Sequence, residues 1–161
     1  MATEVVSNIS SDLIWECTRQ QNAFLVKRKQ AGGVQFSRDP LNLVNKHSRK
    51  YAGYCNDQAI GIQPDSNTVE LKTKLASRTS KPASMYQTAS FSASTPSRKL
   101  YKSVVGTTAK KGYRSDLRAQ AVARASAVKR SQREVKERKQ VTKLRGAKAR
   151  KAAEAEASSS S

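Results

Sequence analysis

Carboxylates, histidine and cysteine are all scarce in this chain: 12 Asp and Glu against 31 Lys and Arg, one histidine and two cysteines. Each scarcity removes a class of chemistry. A serine or cysteine triad would have to use His47, which sits in a basic patch with no acid beside it to orient the ring. Cys17 and Cys55 stand far apart without a CxxC spacing, so a four-ligand zinc site has no framework. They are expected to be reduced and at least partly buried. Gly32-Gly33 reads as a turn, because a phosphate-binding loop would need a lysine at fixed spacing. The few acids are scattered and form no acid/base or metal pair. No catalytic residue, metal or cofactor is expected, and the chain does not read as an enzyme.

Apolar residues are also thin. Hydrophobic residues make up 37% and aromatics 6%, below the roughly 45–50% apolar share of a typical globular domain. The core should be small, and part of the chain cannot bury much of itself. No apolar run approaches the roughly 18 residues of a membrane span. The start, MATEVVSNISSDL, has neither the basic and apolar regions of a secretory signal nor the Arg-rich character of a transit peptide. The expected location is the cytosol–nucleus side.

What the chain has in abundance is positive charge, unevenly placed. Residues 1–74 hold 10 Lys and Arg against 7 Asp and Glu, whereas residues 75–161 hold 21 against 5. Self-repulsion of that size destabilises a compact state unless a polyanion neutralises it. Nucleic acid is the first candidate. A membrane surface fits poorly, since the basic C-terminal helix lacks the large apolar residues an interfacial helix needs.

The pattern predicts an α+β fold. Residues 1–10 read as a flexible lead-in. Ser10 or Ser11 caps a short helix through Cys17, with Asp12 in its first turn. A first hairpin is expected from 23–27 and 34–36. A second has Ile60 and Ile62 alternating before the turn cluster Pro64-Asp65-Ser66-Asn67, and Val69 and Leu71 after it. Residues 11–74 thus form a small domain, an N-terminal helix on an antiparallel sheet of about four strands. Residues 75–112 read as an extended basic loop, with a short helix or strand at 100–105. Residues 113–146 read as a long basic helix capped by Ser115, rich in strong helix formers. Its seam (Leu117, Ala121, Val128, Val135) is too weak for a coiled coil, and Arg118, Lys129, Arg133 and Lys136 fall on a separate face. Residues 147–161 read as a disordered tail.

The candidate RNA-binding residues follow the basic clusters. In the globular part they are Lys46, Arg49 and Lys50, beside Tyr51 and Tyr54. In the loop they are Arg78, Lys81, Arg98, Lys99, Lys102, Lys110 and Lys111. On the helix they are Arg114, Arg118, Arg124, Lys129, Arg130 and Arg133. Such an arrangement suits phosphate contact more than base readout. The interleaved tyrosines can stack on unpaired bases or serve the core.

The run Tyr113-Arg114-Ser115-Asp116-Leu117-Arg118, with Ala121, Arg124-Ala125-Ser126-Ala127 and Ser131-Gln132, resembles the C-terminal signature of the eukaryotic large-subunit ribosomal protein twenty-eight family. Trp15 followed by Asn22, Phe24, Leu25, Val26 and Lys27 is similar to the family's first strand. Asn42-Leu43, the stretch through Tyr51 and Gly53, Ala59 to Pro64 and Lys81 to Tyr86 fall in the family's order. The resemblance covers about residues 11–140. Two departures lie at the ends: a longer lead-in, and an Ala/Glu/Ser segment where the family commonly has a basic, Pro-bearing tail. The resemblance implies a structural constituent of the cytosolic large ribosomal subunit, with nucleolar transit during assembly. Its implied partners are ribosomal RNA and neighbouring large-subunit proteins, without catalysis, cofactor, small-molecule substrate, membrane or homo-oligomer. The alternative is a trans-acting nucleolar ribosome-assembly or RNA-binding factor, the assembly role disfavoured because the cysteine clusters and long acidic region expected of it are missing.

Overall fold

Alternation of apolar and polar residues builds two hairpins and one central core. A computed structural model describes residues 9–30, 32–79, 81–135, 137 and 145–159. Helix α1 (Ser11–Thr18) starts where the Ser10 hydroxyl accepts from the Leu13 amide at 3.2 Å, satisfying one orphan donor of the first turn. Strands β1 (Leu25–Lys27) and β2 (Gln35–Ser37) pair antiparallel, with Val26 opposite Phe36. Gly32 and Gly33 between them both take φ near +75°, a conformation that costs glycine little.

The main sheet is antiparallel, in the order β3 (Ile60–Asp65), β4 (Thr68–Lys74), β5 (Tyr86–Ser92). Period-two geometry puts Ile62, Leu71 and Ala89 in one row and Pro64, Val69 and Phe91 in the next. Helices α2 (Ser97–Thr107) and α3 (Arg118–Ser131) cover that face. The core joins Ile60, Ile62, Val69 and Leu71 to Leu100 and Val104 of α2 and to Leu117, Ala121, Ala125 and Val128. The alanines let α3 lie close to the sheet. At 14 residues, α3 is roughly 21 Å long, about the length of a seven-residue strand.

The fold is α+β as expected, but the five strands among the described residues divide between a two-stranded and a three-stranded sheet. Residues 75–112 are not one extended loop. They hold β5 and α2, and short 3-10 turns at Ala76–Arg78, Pro82–Ser84 and Ala109–Lys111. β5 escapes a hydrophobicity reading because only Ala89 and Phe91 pack on the core, and Ser, Thr and Gln with an exposed Tyr86 fill the rest of an edge strand. The long basic helix is shorter than its propensity allows. After a 3-10 turn at Ser115–Leu117, α3 ends at Ser131, and Val135 is 93% exposed. The end is set by tertiary contact: the Gln132 amide donates to the carbonyls of Thr68 at 2.7 Å and Ser66 at 3.4 Å, at the β3–β4 turn. The tail expected to be disordered carries helix α4 (Ala147–Ser159), consistent with its Ala, Lys, Arg and Glu content. The readings for residues 1–8, for Lys136 and for the stretch 138–144 lie outside the described residues.

Helix α1 has no buried residue, and Leu13 is 55% exposed. Of the two thiols, Cys55 is buried and Cys17 is exposed, so burial holds for one only. Burial pushes the Cys55 thiol up, further from its thiolate form.

The loop at Asp39–Asn42 is locked into the globular part by a buried carboxylate. Asp39 Oδ1 accepts from the Leu41 amide at 2.9 Å, and Oδ2 accepts from the amides of Gly53 at 2.8 Å and Tyr54 at 3.1 Å. This close approach explains two glycines. A Cβ on Gly53 would stand 2.2 Å from Leu41 Cβ, and one on Gly61 would stand 2.7 Å from the Pro40 carbonyl oxygen. Gly53→Ala is expected to lower unfolding free energy by about 1–3 kcal/mol, read as a reduced urea midpoint. Gly106→Ala, with open space around it and a position inside α2, should be neutral or mildly stabilising.

Candidate nucleic-acid interface

The signature run at residues 113–117 is a clamp. Tyr113 follows the left-handed Gly112, and its hydroxyl reaches the open end of the β3–β4 ladder. There the hydroxyl oxygen lies 3.0 Å from the Ala59 amide, which donates to it, and 2.6 Å from the Lys74 carbonyl, to which it donates. Burial pushes the phenol above its ordinary value, so it remains a donor at neutral pH. Arg114 takes φ +45°, and each of its three guanidinium nitrogens donates within the protein. It forks onto the Asp116 carboxylate at 3.0 and 3.1 Å and donates to the carbonyls of Gln58 and Lys50, both at 2.9 Å. The Arg114 hydrogen bonds, reinforced by the charges of Arg114 and Lys50, hold the Asp116 carboxyl below the usual carboxylate range. Together these contacts fasten the start of α3 to the 50–59 loop.

The structure sorts the candidate cations into committed and free. Half-buried are Arg49, Arg114, Arg124 and Lys129. Arg49 bonds Asp12 and Ser11 of α1 at 2.9 and 2.7 Å, and also Asn56. Arg124 donates to the Ile62 carbonyl at 3.3 Å, and Lys129 to that of Thr95. Exposed are Lys46, Lys50, Arg78, Lys81, Arg98, Lys99, Lys102, Lys110, Lys111, Arg118, Arg130 and Arg133. Some of these also have protein contacts: Lys50 lies 3.9 Å from Asp116, and Arg133 lies 3.5 Å from the Ser97 hydroxyl.

Helical geometry places several free cations together. Arg98 and Lys102 stand one turn apart on the side of α2 opposite Leu100 and Val104. Lys110 and Lys111 follow in the turn after α2. On α3, Arg130 points away from the buried Ala121–Ala125–Val128 stripe, and Arg118 lies on its flank. Lys46 bridges to Phe36 of β2, Arg78 closes the 3-10 turn Ala76–Arg78 and Lys81 precedes that of Pro82–Ser84.

Two groups of residues carry no local sequence signal. Lys74 is buried, with its ammonium donating to the carbonyls of Asn56 at 2.9 Å and Tyr54 at 3.5 Å. Trp15, Arg19, Gln20, Lys27, Gln35 and His47 line a cleft of about 330 Å³ between α1 and the first hairpin. His47 is half-buried against Trp15. Tyr51, Tyr101 and Tyr113 pack on the core, Tyr54 is half-buried with its hydroxyl on Thr18, and Tyr86 is 44% exposed.

A small α+β core clamped by an arginine–aspartate fork, with uncompensated cations over its helices and turns, defines a basic, polyanion-compatible module. The chain belongs to the Ribosomal L28e protein family, whose model matches residues 13–131. It is 44% identical over 128 residues to a Schizosaccharomyces pombe protein named large ribosomal subunit protein eL28, covering 78% of this chain and 95% of that one. Proteins of the same name from Dictyostelium discoideum and Trypanosoma cruzi are 33% and 34% identical, over 52% and 50% of this chain and 61% and 53% of theirs.

The clamp and the free cations should respond to mutation in opposite ways. Tyr113→Phe strands the Ala59 amide and the Lys74 carbonyl, and should cost about 1–3 kcal/mol of stability in chemical denaturation. Arg98→Ala with Lys102→Ala should leave the denaturation midpoint within about 0.5 kcal/mol of the original. Asp116 adds a pH dependence. A carboxylate depressed in the folded state stabilises the fold above its unfolded value, near ~3.9. That contribution is lost as pH falls through the lower folded value. Asp116→Asn should therefore lower stability at neutral pH and flatten its decline below about pH 5, measured as denaturation midpoint against pH.

Proposed function

We propose that this protein is a structural constituent of the cytosolic large ribosomal subunit, holding folded ribosomal RNA through phosphate contacts. The observation that carries this reading is the similarity to a protein named for that subunit over 95% of that protein's length. The distribution of charge supports it. Exposed cations on α2, the following turn and α3 supply ammonium and guanidinium groups open to a phosphate backbone. Their attraction is sequence-independent and salt-sensitive. Within a folded RNA many such contacts form together, so residence is durable although each contact is weak. The partners in this reading are large-subunit ribosomal RNA and adjacent ribosomal proteins. The location is the cytosolic ribosome, reached through nucleolar assembly. No substrate is turned over.

Fractionation of a cell lysate on a sucrose gradient tests the reading. The protein should track mature large subunits and polysomes and remain there after a high-salt wash. Confinement to nuclear precursor particles would replace it with an assembly role. With purified protein and large-subunit RNA, binding should weaken by orders of magnitude between 50 and 200 mM salt. Arg98→Ala with Lys102→Ala should reduce the slope of log K against log salt by about one per contact removed.

A further inference from the structure

We infer that the cleft between α1 and the first hairpin is a stacking site for a single unpaired RNA base. This rests on the ribosomal-RNA reading above and adds to it a contact that phosphate binding does not require. The walls are chemically specific. Trp15 and His47 supply two aromatic rings with centroids 4.9 Å apart and planes tilted by 36°. The His47 ring is fixed by a 2.7 Å hydrogen bond between Nε2 and the Arg19 carbonyl, so the aromatic wall is pre-set. Gln20 and Gln35 place amide side chains in the lining. Each amide offers both a donor and an acceptor, the complement of a base edge. Arg19 and Lys27 are the cations of the cleft. The Lys27 ammonium donates to the Gln20 carbonyl at 2.9 Å, tying hairpin to helix, and Arg19 pairs with Glu16 at 3.1 Å.

The same lining argues against other ligands. Among the described residues the lining holds no carboxylate, and the neighbouring Glu16 is already paired with Arg19, so a metal or organic cation finds little counter-charge there. It is too polar and too cationic for an apolar molecule. Residues 11–50 carry eight Lys and Arg against three Asp and Glu, so the approach is favourable to a polyanion. A flat, uncharged ring on a negatively charged backbone matches both the aromatic wall and its surroundings. The absence of any buried residue in α1 fits an element whose packing is completed by a ligand.

Trp15 is the single tryptophan of the chain, so its fluorescence reports on this cleft alone. The full-length protein is titrated with single-stranded hexauridylate and hexaadenylate at 50 and 200 mM salt. Both should quench the emission and shield it from acrylamide. Trp15→Leu should weaken binding, followed by anisotropy of labelled oligonucleotide, about ten-fold or more with the salt slope unchanged. Lys27→Ala should lower affinity and reduce the slope by about one. Circular dichroism and a denaturation midpoint check that the Trp15 variant is folded, and the acrylamide measurement needs no variant. Binding that leaves Trp15 emission and acrylamide access unmoved, with equal affinity in Trp15→Leu, would overturn the base site and leave phosphate binding intact. Failure of both oligonucleotides to bind would also overturn it. Residence in the large subunit is decided separately on the gradient.

Discussion

The hydroxyl of Tyr113 holds together parts of the chain that are more than fifty residues apart in sequence. It lies between the Ala59 amide and the Lys74 carbonyl, where the β3–β4 ladder would otherwise present unpaired groups to a half-buried seam. Leaving such groups unpaired costs more than the hydrogen bond itself gains. The next residue, Arg114, extends the fastening to Gln58 and Lys50, so the loop entering β3, the end of β4 and the start of α3 are fixed at one point. Leu117, Ala121, Ala125 and Val128 can then be laid in order along the sheet. A chain with so little apolar area cannot rely on hydrophobic burial alone to choose this arrangement, and the clamp supplies the missing specificity.

The same scarcity of acids shapes how cations that bond within the fold are accommodated. Lys27, Lys74, Arg114, Arg124 and Lys129 all donate to backbone carbonyls. A carbonyl satisfies the donor without cancelling the charge. A lysine or arginine used this way can tie two elements together and still contribute to the field outside. Supplying a further carboxylate for each of these cations would have lowered the net charge of +19 by one each time. Carboxylate pairs also occur, and two of them, Arg49 with Asp12 and Arg114 with Asp116, fall where an element must be fastened, at α1 and at the head of α3.

Periodicity made the two hairpins legible, because Ile60, Ile62, Val69 and Leu71 alternate with polar partners and turn residues separate the strands. It did not reveal β5, whose alternation is between small or polar residues and only two apolar ones. Helix propensity in 118–131 was also legible, but propensity alone could not place its end. That depends on Gln132 meeting the carbonyls of a turn more than sixty residues earlier. Composition pointed to a polyanion and to candidate cations, yet it could not separate Arg98, exposed on α2, from Arg114, whose guanidinium nitrogens all donate within the protein. That distinction is geometric. The cleft was illegible for the same reason: Trp15 and His47 are distant in sequence, and only the folded hairpin brings Lys27 and Gln35 to them.

The two kinds of surface have different physics, and the difference bears on how so small a core suffices. Contacts of free lysines and arginines with phosphate gain free energy by counterion release and weaken with salt. Stacking on an aromatic wall depends little on salt. In the proposed setting both act only on the folded chain, so each adds to stability by mass action. The repulsion that burdens the isolated protein is then relieved by the same phosphates. Within the RNA, the clamp need only define the geometry in which the cations are presented, because the polyanion supplies the remaining cohesion.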